Sequence, residues 1–151
     1  MKSILAVISF FVLCACAQDG PNIKQIENMQ FFIDNKKNSG VIEIEPGLQY
    51  SVIKKGDLSG PNPSLNNIIS AHFHGTLTNG EVFWSSLDSE PLKIELSELI
   101  IGCQKIISLM KKGDKWMAYI DPTMAYGEEG RPGIPSNSIL IFEIELLEIQ
   151  S

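Results

Sequence analysis

Between Asp121 and Phe142 the chain reads DPTMAYGEEGRPGIPSNSILIF, and this stretch restricts the possible folds more than any other. Pro122, Pro132 and Pro135 each remove a backbone donor, and Gly127, Gly130 and Gly133 permit positive φ. Neither a helix nor a strand ladder continues through such a segment, so it must leave one strand and re-enter another. A loop of this length inside a compact domain is usually functional. Met124, Tyr126 and Ile134 are too apolar to be solvent decoration. They form either one wall of a pocket or a hairpin connection that caps the core.

The segment after the loop is the plainest strand, with Leu140, Phe142, Ile144 and Leu146 facing in and Glu143 and Glu145 facing out. The same alternation occurs upstream. Leu48, Tyr50 and Val52 form one run, Leu92, Ile94 and Leu96 another, and Trp116, Ala118 and Ile120 oppose Met117 and Tyr119. Ile69, Ala71 and Phe73 point one way and His72, His74 and Thr76 the other. Gly56 to Asn67 is a polar loop, and Asn79-Gly80 predicts a two-residue hairpin returning the chain into Val82-Phe83. Cys103, Ile106, Ile107 and Met110 share one face of a short helix that Gly113 should stop. A further helix is predicted from Pro21 to Asn38, with Pro21 in its first turn and Ile23, Ile26, Met29 and Ile33 at helical spacing. The fold class is therefore α+β: an antiparallel twisted sheet of about five strands wrapped around one short helix, preceded by a short N-terminal helix.

At 151 residues and 44% hydrophobic, the chain suffices for one domain with a real core plus a short extension. A net charge of −6 argues against nucleic acid as a partner. The extension has its own logic. Lys2 followed by the apolar run Ile4 to Leu13 has the form of a signal peptide, too short to span a bilayer as a helix. Leu13-Cys14-Ala15-Cys16 resembles a bacterial lipobox, which makes Cys16 the acylated N-terminus; cleavage after Ala17 is the rival. The expected division is 1–15 signal peptide, 16–40 tether and short helix, and 41–151 folded domain. Ala17, where an inner-membrane retention signal would place Asp, favours the periplasmic side of the outer membrane, with a free periplasmic protein as the alternative. With Cys14 removed and Cys16 acylated, Cys103 has no intrachain partner and should be buried.

Familiar catalytic constellations are weak. His72 and His74 share a strand face but have no third ligand at useful spacing, so no metal is expected. Ser85-Ser86 lacks the Gly-flanked elbow of a nucleophile, Glu128-Glu129 reads as a solvated pair, and there is no phosphate loop. No cofactor is expected.

The segments GLQYSVIKKG, HFHGTLTNGEVFWSS, LMKKGDKWMAYI and AYGEEGRPGIPSNSILIFEIELL occur in that order between Val41 and Ile149. Together they resemble the FKBP-type peptidyl-prolyl cis-trans isomerases, and FFIDNKKNSGV resembles the end of the long helix in macrophage-infectivity-potentiator-type lipoproteins. Those proteins dimerise through a longer helical region, so a monomer on a short tether is expected here. The resemblance implies a catalytic set of Tyr126, Phe83, Phe142 and Ile100, with the Tyr126 hydroxyl and the Ile100 backbone N–H donating to substrate carbonyls. Phe73, Trp84, Leu92, Leu99, Cys103 and Ile134 would complete the binding surface for proline-containing polypeptides. Five positions depart from the family pattern: Leu92 and Ile94 stand where aromatics are often found, and the other three are Cys103, Trp84 and Phe73. Cys103 stands where a tryptophan usually floors the pocket, losing on the order of 200 Å² of aromatic surface. Trp84 replaces an aspartate and Phe73 a tyrosine, and the two changes make sense together, because removing one alone would leave a buried polar group unpaired at ~1–3 kcal/mol. Two functions follow: a prolyl isomerase assisting protein folding in a bacterial envelope, or a non-catalytic binding module with a degenerate proline pocket.

Overall fold

A computed structural model of the chain describes residues 22–150. The expected signal peptide, the acylated Cys16 and Pro21 lie outside the described residues. Seven strands form one antiparallel sheet: β1 (Val41–Glu45), β2 (Leu48–Lys54), β3 (Ile68–Thr76), β4 (Val82–Ser85), β5 (Leu92–Glu95), β6 (Lys115–Ile120) and β7 (Leu140–Gln150). Helix α1 (Ile23–Asn35) precedes them and α2 (Ile101–Ile107) lies between β5 and β6. The spatial order is β1-β2-β6-β7-β3-β4, with β5 also on β3. The architecture is the expected one, with more strands than the expected five or so. The strand without an alternating run of its own in the sequence is β1, a five-residue edge piece that pairs only with β2.

The core follows from alternation. On β7, Leu140, Phe142, Ile144 and Leu146 are buried, and β3 contributes Ile69, Ala71 and Phe73 to the same layer. Cys103, Ile106, Ile107 and Met110 meet them from α2 and the turn after it. Contact is close because Gly102 has no side chain: a Cβ there would stand 2.3 Å from Ile120 Cγ2 on β6. Helix α2 ends at Ile107, well before Gly113. Its last turn tightens through Leu109 N–H to Ile106 O and Met110 N–H to Ile107 O. Gly113, at φ +87°, turns the chain into β6 instead of stopping the helix.

Two other local expectations are corrected. The β3–β4 hairpin is longer than a two-residue turn: Gly80 N–H bonds to Leu77 O and Leu77 N–H to Glu81 O, leaving Thr78, Asn79 and Gly80 between. A two-residue turn of the usual kind needs positive φ at both central residues, whereas only Gly80 has it. Helix α1 starts from an Asn22–Gln25 capping box, which puts Ile23 at its first position, and ends at Asn35. Its stripe of Ile23, Ile26, Met29 and Ile33 points outward, and Asn28 and Phe32 are the buried residues. Hydrogen bonds decide this orientation. Asn28 Nδ2 donates to Asn137 O, Asn35 Nδ2 to Gln49 Oε1, and buried Gln49 Nε2 to Phe32 O. Among the described residues no helix is long and apolar enough to cross a membrane.

Candidate active site

The Gly/Pro loop folds back on itself over the concave side of the sheet. Asp121 caps a 3-10 turn at Pro122–Met124 by accepting the Thr123 N–H. Gly127, Gly130 and Gly133 all have positive φ. Arg131 and Ile134 exchange two backbone hydrogen bonds of 2.9 and 2.8 Å, and Asn137 N–H closes the loop onto Gly127 O. This fixed flap brings Tyr126 and buried Ile134 over a cavity of about 500 Å³. Met124, expected in the same wall, packs instead against the core beside it.

All ten side chains expected to bind or act on substrate line this one cavity: Phe73, Phe83, Trp84, Leu92, Leu99, Ile100, Cys103, Tyr126, Ile134 and Phe142. Four of its aromatics form a continuous set. Phe142 meets Phe83 edge-on at 5.4 Å and Phe73 edge-on at 6.2 Å, and Phe73 reaches Trp84 at 6.0 Å. Edge-to-face pairs of this kind are worth ~0.5–1.5 kcal/mol each beyond their buried area. The Phe73–Trp84 contact puts an apolar pair at the two positions expected to have changed together. Phe73 is further held by Ser86, whose Oγ accepts its N–H at 3.0 Å and whose N–H donates to its carbonyl at 2.9 Å.

The polar equipment is sparse. Ile100 caps α2 with extended geometry, and its N–H has no protein acceptor among the described residues. The Tyr126 hydroxyl accepts from Arg131 Nη1 at 2.7 Å, which leaves its own proton to donate. His72 and His74 turn to the other face of the sheet, their Nδ1 atoms 3.1 and 3.0 Å from Ser86 Oγ and Ser85 Oγ. No cluster of three metal-ligating side chains occurs among the described residues.

Residues 60–147 match the sequence profile of the FKBP-type peptidyl-prolyl cis-trans isomerases. The chain belongs to that family. It is 39% identical over 127 residues to the FKBP-type peptidyl-prolyl cis-trans isomerase FkpA of Aeromonas hydrophila, covering 83% of this chain and 47% of that protein. Against the peptidyl-prolyl cis-trans isomerase Mip of Coxiella burnetii the identity is 38%, over 80% of this chain and 52% of the relative. The chain thus spans about half the length of the curated relatives it matches. Among solved structures, FkpA from Escherichia coli superposes with a TM-score of 0.78 at 34% identity, over 84% of this chain and 59% of that one. A peptidyl-prolyl cis-trans isomerase from Pseudomonas syringae gives 0.79 at 29% identity, over 88% and 98%.

Within this FKBP-type domain, Cys103 is 2% exposed and its thiol is pushed up to about 12 by burial away from water. The thiol is therefore neutral and should resist alkylation in the native protein, reacting only when the chain unfolds. The sign of the pH effect follows. From its ordinary value of 9.0 upward, the unfolded chain releases this proton while the folded chain keeps it. Its contribution to stability is present below pH 9.0 and is lost as the pH rises towards 12. Denaturation of wild type and Cys103→Ala across the alkaline range should show the steeper decline in the wild type. Parallel curves would refute the assignment.

The cavity also contains Ile94, which the sequence marks only as standing where an aromatic is often found, and Glu98, Arg131 and Pro132, which were not assigned from the sequence. Ile94 and Pro132 extend the apolar wall. Arg131 carries the one signal that sequence offers: it is the only arginine in the chain.

Proposed function

We propose that this chain is a peptidyl-prolyl cis-trans isomerase acting on proline-containing segments of unfolded polypeptides. The observation that carries this reading is a single, largely aromatic and aliphatic cavity lined by Tyr126, Phe83, Phe142 and Ile100, whose N–H has no protein acceptor among the described residues. Rotation about an X-Pro bond is opposed by amide resonance, a barrier of about 20 kcal/mol, and needs no nucleophile. A dry cavity that grips the proline ring between Phe83 and Phe142 favours the twisted amide over the planar one. In this reading the Tyr126 O–H and the Ile100 N–H hold flanking carbonyls. Cys103 at the floor favours the second reading, a module that binds such segments without turning them over.

One experiment separates the two. Cis/trans exchange at an X-Pro bond of a short peptide, followed by NMR with the full chain in detergent, should be accelerated. Tyr126→Phe should lower kcat/KM about fivefold, the worth of one net hydrogen bond. Binding of the peptide without acceleration would support the non-catalytic module.

The location is proposed on the lipobox-like Leu13 to Cys16: a lipid-anchored envelope protein assisting the folding of secreted clients. Labelling with a fatty-acid analogue should mark the wild type and spare Cys16→Ser, and an unlabelled wild type would overturn the anchor. A monomer is proposed with it. Self-association would start on the outward stripe of α1, so a sedimenting dimer that Ile26→Asp disperses would overturn the monomer.

A further inference from the structure

The flap presents a cation to the cavity that no ion pair among the described residues claims. Arg131 lines the cavity beside Tyr126, its guanidinium carbon 4.8 Å from the centre of the Tyr126 ring and its Nη1 2.7 Å from the hydroxyl. Its backbone is pinned by the two-way bridge to Ile134, so the side chain leaves a fixed point. The ion pairs among the described residues all use lysines, and none involves Arg131. A guanidinium has five N–H donors, of which Tyr126 takes one. The others are arranged in a planar fork that matches a carboxylate better than any other common group.

We propose that Arg131 is a specificity-determining residue that recruits client segments bearing a carboxylate, from Asp or Glu, next to the proline. The inference rests on the cavity being the proline site. Long-range attraction does not produce such a preference in a chain of net charge −6. It has to come from contact at the flap. Arg131 is the one cation among the cavity's lining residues; Glu98 lines the same cavity, and Glu81 lines a second, shallower depression with Arg131. A segment bound in the cavity with its acidic residue against Arg131 satisfies the remaining donors of the guanidinium.

The test uses blocked peptides with glutamate, glutamine or lysine placed immediately before or immediately after one proline, and the full chain at low salt. The ratio of kcat/KM for the glutamate peptide to that for its glutamine isostere is read, because losing the Tyr126 contact alters absolute rates. In wild type this ratio should be about fivefold in at least one of the two positions and should shrink as salt is added. It should fall to unity in Arg131→Gln and invert towards the lysine peptide in Arg131→Glu. Equal ratios in wild type, or a ratio that Arg131→Gln leaves unchanged, would mean that Arg131 only orients Tyr126, and the proposal would be lost. Chemical-shift titrations with the same peptides give the ratio as affinities. If no peptide is isomerised, the catalytic reading fails while the carboxylate preference is still decided.

Discussion

Gly75→Ala is expected to cut kcat/KM for an X-Pro peptide about a hundredfold while leaving the sheet folded. Gly75 sits on β3 opposite Phe142 of β7 and Trp84 of β4. A Cβ there would stand 2.5 Å from Phe83 Cζ, 2.7 Å from Phe83 Cε2 and 2.8 Å from Phe142 Cε1. The backbone φ is not positive, so the substitution acts through space and not through strain. Phe142 cannot retreat, because β7 is paired on both sides. Phe83 is the group that moves: it is half-buried on the edge strand β4. Overpacking of this kind costs about 1–3 kcal/mol, which a domain with ~5–15 kcal/mol of stability survives. The rate is more sensitive, since a displacement of about 1 Å in a positioning ring costs on the order of a hundredfold. Denaturant melts paired with exchange kinetics separate the two effects. A folded Gly75→Ala protein with wild-type kinetics would show that Phe83 takes no part in gripping proline.

The features legible in the sequence were those written in a short period. Every inward residue named on β7, and all four on the α2 face, is buried, because alternation and helical spacing are local statements about side-chain direction. That residues from β3, β4, α2, the flap and β7 share one cavity was legible through motif order. What was not legible depends on partners distant in the chain. Periodicity placed Ile23, Ile26, Met29 and Ile33 on one stripe of α1 but could not say which side the sheet occupies. That is settled by polar groups, above all by Gln49 holding the Phe32 carbonyl. The Asn79-Gly80 pair suits a two-residue and a three-residue loop alike, and the register beyond Leu77 selects the longer one. Arg131 reads as a solvated loop charge until the Ile134 bridge is known to aim it at Tyr126.

Cys103→Trp is expected to raise kcat/KM for the same peptide by tenfold or more, at a cost in stability. Cys103 lines the cavity where the resemblance implies a floor tryptophan, and its thiol offers a proline ring little to pack against. An indole brings on the order of 200 Å² of aromatic surface. Placing a quarter to a half of that against the substrate is worth roughly 1–2.5 kcal/mol at ~25 cal/mol per Å². Uniform binding of this kind raises kcat/KM even where kcat is unchanged. The opposing effect is space. Cys103 is 2% exposed and lies among residues of the core, so the larger side chain displaces neighbours at about 1–3 kcal/mol unless it enters the cavity of about 500 Å³ in front of it. Trp84 decides between these outcomes. It lines the same cavity, is 42% exposed and has room to move aside. If Trp84 already serves as the aromatic surface for proline, the new indole collides with it and the rate falls. Kinetics of Cys103→Trp with and without Trp84→Ala read this directly. A gain in the single variant means that the floor was vacant, whereas a gain that appears only when Trp84 is removed means that Trp84 had taken over the lost tryptophan's role.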